Sequence, residues 1–156
     1  MANHGFVTTR RILRFDRVHA DLSEIVQRRF KGKMQINGPH EEDGVVMWVM
    51  QPCKESISGI VHGFQVWLST SRKLEFRHPF NDWAFWAQVV VINELGARYN
   101  GIISDEGVSE KWKPDPKKYP TYKSWADARH ARCPRWLRGV LTMADISHVP
   151  PYLRTL

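Results

Sequence analysis

The stretch Pro79–Asn100 reads PFNDWAFWAQVVVINELGARYN, and it decides what fold the chain adopts. Within it, Trp83–Leu95 is apolar at nearly every position, so little polar surface is left on any side. A helix that is apolar almost all round is buried in a core or in an interface. Asn81 or Asp82 supplies the N-cap, and the following Asn-Gly pair suits a C-cap. We therefore predict a buried helix around which the other elements pack.

Working toward the N-terminus, the sequence predicts a strand and then an amphipathic helix. The strand is Val7–Phe15, which is rich in β-branched and aromatic residues and carries a basic outer side. The helix covers residues 17–31, because apolar side chains recur there at spacings of three and four. Asp16 caps this helix and Gly32 ends it.

Between the two helices the sequence predicts strands. Gly44–Met50 is apolar on both faces, and Ile60–Ser69 alternates in a hairpin relation to it. A shorter strand at Lys33–Asn37 is ended by Gly38-Pro39, and Leu74 with Phe76 marks another. One more strand, at residues 102–104, follows the buried helix.

This order is simplified to β-α-β-β-α-β, the pattern of the ferredoxin-like (split βαβ) arrangement. The predicted fold class is therefore α+β, with one antiparallel sheet and two helices on one face. Residues 1–107 form this core domain. Residues 108–156 form a proline-rich, basic C-terminal extension with short helices at Thr121–Arg132 and Pro134–Met143, followed by an extended end. A fold of this kind hosts many unrelated functions.

Charge is distributed unevenly along the 156 residues. The chain carries a net charge of +7 and has a sequence pI near 9.7. Residues 1–36 contribute +5, residues 37–108 contribute −4, and residues 109–156 contribute +6. Such asymmetry indicates the kind of partner rather than the fold. The positive charge either converges on one face or lies at two separate ends.

Composition excludes several classes of protein. No run reaches the roughly 18–20 apolar residues of a membrane span, so no membrane partner is expected, and the N-terminus lacks the apolar region of a signal peptide. The two cysteines, Cys53 and Cys133, form no CxxC pair. We expect a cytoplasmic protein with reduced thiols, without a metal and without a cofactor, since no recognised cofactor-binding motif occurs.

Basic residues interleaved with aromatics favour a nucleic acid, or a ribonucleoprotein, as the partner. Cationic side chains neutralise phosphates, and aromatic faces stack on unpaired bases. The expected activity is RNA-binding, or nucleic acid-binding in general. The residues expected to contact phosphates or stack on bases lie near the N-terminus, at the end of the first helix and in the C-terminal extension. The candidate residues are Arg10, Arg11, Arg14, Arg28, Arg29, Lys111, Trp112, Lys113, Lys117, Lys118, Tyr119, Tyr122, Lys123, Arg132 and Arg135.

An alternative is a protein–protein interaction module, such as an adaptor, an inhibitor or an assembly component, in which the same arginines bind an acidic partner. Seven tryptophans are many for one small core, and tryptophan and arginine are enriched at interface hot spots. A homodimer would bury them equally well. In another interpretation, Trp112 and Trp125 only anchor the extension to the core while the lysines remain solvated.

A small metal-dependent or acid–base enzyme is the third hypothesis. It requires His62 and His78, with Asp82, to approach Asp105 and Glu106, which would assemble a candidate acid–base or metal site. No nucleophile motif supports it, so a non-enzymatic protein is favoured.

Overall fold

In the computed structural model, which describes residues 4–53, 63–77, 79, 82–105, 115 and 117–132, the chain forms a six-stranded antiparallel sheet and three helices. The α+β class is confirmed. The helices are α1 (Phe15–Phe30), α2 (Asp82–Arg98) and α3 (Tyr122–Arg132). The strands are β1 (His4–Thr8), β2 (Met34–Glu42), β3 (Val45–Pro52), β4 (Phe64–Thr70), β5 (Lys73–Arg77) and β6 (Ile102–Asp105).

The strands lie in the order β2-β3-β4-β5-β1-β6, and every neighbouring pair is antiparallel. Counting across the sheet, β1 and β2 therefore run in the same direction, and so do β5 and β6. Each of these two parallel-running pairs is joined through a helix. β1 lies between β5 and β6, which places the β1–α1 connection beside the end of α2.

One face of the sheet forms the core. Burial alternates along the strands, so that Val7, Trp48, Val66 and Phe76 are fully buried while the residues between them are more exposed. The same apolar cluster contains the inward faces of α1 and α2, including Leu22 and, from α2, most of the tryptophan- and valine-rich stretch. Both helices therefore pack against this face.

The prediction of a first strand over Val7–Phe15 is wrong in its bounds, because the observed strand is His4–Thr8. β1 ends at Thr8, and the arginines that were placed on a strand lie in the loop before α1. α1 then begins at Phe15, with Arg14 as a backbone N-cap that makes no side-chain capping bond, rather than at the capping Asp16 expected. Lys31 and Gly32 both have left-handed backbone conformations, and the helix ends there, as the sequence predicts for Gly32.

Between α1 and α2 the chain forms four strands, β2 to β5, joined as an antiparallel meander, whereas the simplified order contains only two strands there. Gly38-Pro39 does not end the first of these strands: β2 continues to Glu42 after a register shift between Asn37 and His40. The shift requires glycine, because a Cβ at Gly38 would lie 2.8 Å from the carbonyl oxygen of Met47 and its φ is +123°.

Part of the predicted C-terminal extension lies outside the described residues, including the expected helix Pro134–Met143. The described part contains α3, which packs on α2 through two aromatic residues. Tyr122 lies 6.2 Å from Trp86, and Trp125 lies 6.4 Å from Phe85, measured between ring centroids. Within the described ranges, none of the helices is both long enough and apolar enough to span a membrane.

Candidate functional site

The loop between β1 and α1, residues 9–14, is fixed to the turn between β4 and β5. The Thr9 amide donates to the Arg72 carbonyl at 2.9 Å, and the Leu13 amide donates to the Ser71 carbonyl at 2.6 Å. Leu13 is directed into the core cluster. With one side of the loop held in this way, its arginines are exposed to solvent.

This loop forms one wall of a concave surface of about 540 Å³, and the end of α2 forms part of the opposite wall. We call this surface the arginine cavity. Ligand sites in proteins usually have volumes of about 300–1,000 Å³. Five arginines line the cavity: Arg10, Arg11, Arg14, Arg17 and Arg98.

A buried carboxylate orders two of these arginines. Asp21, only 3% exposed, accepts hydrogen bonds from Arg17 Nε at 3.2 Å and from Arg98 Nη1 at 2.9 Å. The Tyr99 hydroxyl donates to the same carboxylate at 2.8 Å. Asp21 thus joins α1 to the end of α2 and holds two cationic side chains at the cavity.

The remaining arginines are less tightly engaged. Arg14 pairs with Asp16 at 3.0 Å on the surface. For Arg10 and Arg11, no carboxylate lies within ion-pair distance among the residues that the structure describes. The cavity therefore holds more positive charge than its own carboxylates neutralise, which is the electrostatic requirement for an anion site.

The charged groups around the cavity perturb one another in consistent directions. The hydrogen bond from Arg14 lowers the pKa of Asp16 below its ordinary value, and bonds from Arg28 and Arg98 lower the pKa of Glu24. Burial, assisted by the bond to Asp21, raises the pKa of Tyr99. At neutral pH both carboxylates are ionised and the phenol is protonated.

A second concave surface of about 410 Å³ lies on the other side of the same loop. We call it the loop cavity. Its apolar walls come from Leu13, Val46, Leu68 and Phe15, its hydroxyl groups from Thr70 and Ser71, and a carboxylate from Asp16. Phe15 is 53% exposed. Leu13 and Arg14 line both cavities, so the loop separates two adjoining surfaces of different chemistry.

The predicted site residues do not all come together. Arg10, Arg11 and Arg14 gather at the arginine cavity. Arg28 shares the Glu24 carboxylate with the cavity residue Arg98. Along α1, however, Arg28 and Arg29 lie about 20 Å beyond Arg14, on the rise of about 1.5 Å per helical residue. There they face Glu94 of α2, at 2.7 Å from Arg28 and 3.8 Å from Arg29.

α3, which carries the predicted residues Tyr122 and Lys123, packs against Phe85 and Trp86 near the start of α2, the opposite end of that helix from the cavity. Tyr122 is 5% exposed and packs in the core, so its ring is not open to a nucleic-acid base. Trp125 is also buried and packs against Phe85, which is what the alternative expects of a tryptophan that anchors the extension. Lys117, Lys118 and Lys123 are exposed, and Lys118 lies 5.4 Å from the centre of the partly buried Tyr119 ring.

Several predicted residues cannot be placed. Lys111, Trp112, Lys113 and Arg135 lie outside the described residues; Arg132 ends α3, but its side chain is also outside them. The same holds for the enzyme hypothesis, since His62, His78 and Glu106 fall outside, as do the side chains of Asp82 and Asp105. Among the side chains that the structure does describe, no cluster of three or more His, Cys, Asp or Glu could hold a metal ion.

Arg98, Tyr99 and Asn100 are cavity residues that were not predicted, because nothing in the local sequence connects the end of α2 to the first loop. One feature of the sequence did indicate that α1 needs cationic partners from elsewhere in the chain. Asp21 lies three residues after Val18 on the predicted apolar stripe of α1, and a carboxylate at a buried position requires cationic or hydrogen-bonding partners. Those partners are Arg17, Arg98 and Tyr99.

A scan against protein-family models found no match to this chain, and a search of curated proteins found none either.

Proposed function

We propose that the protein binds nucleic acid, either free or within a ribonucleoprotein, and that the arginine cavity holds phosphate groups of the backbone. The observation that carries the proposal is that five arginines line one concave surface. The proposed phosphate-binding residues are fewer than the candidate residues predicted from the sequence. It centres on Arg10, Arg11 and Arg14, assisted by Arg17 and Arg98.

The chemistry of the cavity suits a phosphate. A guanidinium presents a planar fork of N–H donors that binds phosphate oxygens bidentately, and it stays charged at any physiological pH. Neutralising phosphates releases condensed counterions, which supplies the sequence-independent part of nucleic-acid affinity. Because Arg10 and Arg11 have no carboxylate at ion-pair distance in the described part of the chain, they provide charge available to a ligand.

Backbone groups add to the positive potential. α1 begins at Phe15 beside the cavity, and Arg14, its N-cap residue, makes no side-chain capping bond. The first amides of a helix lack partners within the helix, and its dipole is positive at this end. Asp16 in the first turn offsets part of this charge, because its carboxylate accepts hydrogen bonds from the amides of Asp16 and Arg17 as well as from the Arg14 side chain. An anion in the cavity would therefore meet mainly guanidinium charge.

Binding of a fluorescent oligonucleotide at low salt, followed by anisotropy, tests the proposal. The double variant Arg10→Gln/Arg11→Gln is expected to bind at least about tenfold more weakly. A hydrogen bond to a charged group contributes roughly 1.5–3 kcal/mol, and a factor of ten corresponds to about 1.4 kcal/mol.

The matched control is Arg28→Gln/Arg29→Gln, which removes the same formal charge from side chains that already face Glu94. We expect it to bind within about twofold of the wild type. Equal losses in the two double variants would show that net charge alone drives binding. No binding by the wild type at low salt would refute the proposal.

An acidic protein partner is the second candidate, and Ile12 favours it. This aliphatic side chain is 65% exposed and lines the arginine cavity. An exposed apolar residue among arginines resembles the centre of a protein interface, where apolar anchors and arginine occur together. Salt weakens both kinds of complex, so salt dependence does not separate them.

A size measurement before and after nuclease treatment does separate them. A partner or oligomer that persists after nuclease favours the protein-binding candidate. Loss of co-purified nucleic acid, with a fall to the monomer size, favours nucleic-acid binding.

We also propose that the sheet is an enlarged split βαβ, or ferredoxin-like, arrangement. Two observations support this: β1–α1–β2 and β5–α2–β6 each join strands of the same direction, and β1 lies between β5 and β6. The two additional strands belong to the central meander. We also propose that the chain divides into a core domain at residues 1–107 and a proline-rich extension at residues 108–156. α3 is the helix of that extension that the structure describes.

A further inference from the structure

We infer that the nucleic acid is single-stranded, with a phosphate in the arginine cavity and an unpaired base stacked on Phe15 at the loop cavity. This inference rests on the proposed function, because it names the form of nucleic acid that the same site takes. It adds a residue, Phe15, that the sequence did not single out as a binding residue.

The two cavities divide their chemistry as a nucleotide does. The arginine cavity concentrates cationic side chains, whereas the loop cavity has three aliphatic residues, a half-exposed aromatic ring and two hydroxyl-bearing residues, Thr70 and Ser71. Arg14 and Asp16, which pair with each other, supply its only charged lining residues among those that the structure describes. A phosphate needs the first environment. A base has an apolar face and polar edges, which suit an aromatic ring with hydroxyl groups nearby.

The cavities are also close enough to take parts of one ligand. Leu13 and Arg14 line both, so a single loop separates them. Arg14 has its side chain largely exposed and borders both cavities. Phe15 is the next residue in the chain. A single strand of nucleic acid that crosses the loop at Arg14 would thus place a phosphate and the neighbouring base on adjoining surfaces.

The exposure of Phe15 needs this kind of explanation, since a phenylalanine at the first position of α1 is 53% exposed beside exposed arginines. In a duplex, bases are paired and stacked inside the helix, and only their edges and the backbone are accessible. An unpaired base exposes its face, and stacking on an aromatic ring tolerates any base because each has such a face. The arrangement therefore favours a single strand over a duplex.

The test compares three probes of equal length at low salt: a single-stranded oligonucleotide, a duplex, and a single strand whose sugars lack bases. The wild type should bind the single strand at least about fivefold more tightly than the abasic strand. Phe15→Ala should lose that preference, because one stacked base contributes an effect of this size or larger. Phe15→Trp should keep it.

Ile102→Ala is the matched control, because it removes another exposed large apolar side chain, one that lines neither cavity. It should leave the preference for the base-containing strand unchanged. Circular dichroism and a thermal melt establish that each variant folds.

The outcomes separate the inference from the proposed function. If Phe15→Ala binds the single strand as tightly as the wild type while Arg10→Gln/Arg11→Gln does not, the stacked base is refuted and phosphate binding stands. Tighter binding of the duplex than of the single strand also refutes the inference. If the wild type binds none of the three probes, the proposed function itself is refuted.

Discussion

The Tyr99 hydroxyl donates a hydrogen bond to the Asp21 carboxylate at 2.8 Å, across the contact between the end of α2 and the middle of α1. Arg17 and Arg98 donate to the same carboxylate. Three donors thus compensate one buried charge, which is the condition under which a carboxylate is tolerated in a protein interior. The bond also fixes one wall of the arginine cavity, since both arginines and Tyr99 line it.

Replacing Tyr99 by Phe should lower the free energy of unfolding at pH 7 by about 1–2 kcal/mol, because the Asp21 carboxylate loses one of three donors. It should also change the alkaline dependence of stability. Burial raises the pKa of Tyr99 above its ordinary 10.0. The unfolded chain then loses this proton at a lower pH than the folded chain, so stability falls as pH rises from about 10 toward the folded pKa.

Urea unfolding of the wild type and Tyr99→Phe at several pH values from 9 to 11 measures this difference. Other tyrosines and the lysines titrate in both proteins, so their contributions cancel in the comparison. The wild type should lose stability more steeply than the variant above about pH 10. Parallel pH profiles would contradict the account of Tyr99.

Asp21→Asn should destabilise the fold by about 2–4 kcal/mol. The amide keeps the size of the carboxylate, but the guanidinium groups of Arg17 and Arg98 lose their shared counter-ion. The expected loss lies toward the lower part of the range for buried pairs, because Arg17 remains largely exposed to water. Chemical denaturation measures it. A change below 0.5 kcal/mol would mean that the carboxylate does not join the two helices energetically.

Gly101→Ala tests the close approach between β1 and the start of β6. A Cβ at this position would lie 2.8 Å from Val7 Cγ1 and 3.2 Å from the Thr8 carbonyl oxygen. Overpacking of this kind costs about 1–3 kcal/mol. In the background of Val7→Ala, which removes the contacting methyl, the cost should be smaller, and a double-mutant cycle measures the coupling. Strict additivity would show that the two residues do not meet.

Trp125→Ala tests whether α3 is part of the folded core. Trp125 is 4% exposed and packs against Phe85 and Tyr122. Loss of a buried tryptophan costs about 3–5 kcal/mol. Lys123→Ala is the control on the same helix, because its pair with Asp127 is exposed and contributes about 0.5 kcal/mol or less. Equal stabilities of the two variants would contradict the docking of α3 on α2.

The sequence predicts the element types well where one local pattern dominates. The apolar stretch of α2 and the stripe of α1 each specify a helix, and the observed Asp82–Arg98 and Phe15–Phe30 differ from the predicted ranges mainly at their ends. The strand boundaries are less predictable. Residues 9–14 have strand propensity, but hydrogen bonds to the distant Arg72 and Ser71 hold them in a loop. Tertiary contacts override the local preference there.

The candidate site is predicted only in part, for the same reason. Arg10, Arg11 and Arg14 are adjacent in sequence, so their clustering follows from the chain itself. Arg98 comes from the far end of α2, and only the antiparallel packing of α2 on α1 brings it to the cavity. The charge pattern also left open whether the basic segments converge. In the described residues, α3 with Lys123 packs near the other end of α2.

The measurement that tests the central claim most directly is the salt dependence of binding to a single-stranded oligonucleotide. The logarithm of the binding constant should fall linearly with the logarithm of salt concentration, with a slope of about −0.7 for each phosphate contacted. We predict that Arg10→Gln/Arg11→Gln makes this slope shallower by about 1.4, whereas Arg28→Gln/Arg29→Gln leaves it unchanged. Identical slopes for the wild type and the cavity variant would contradict phosphate binding in the arginine cavity.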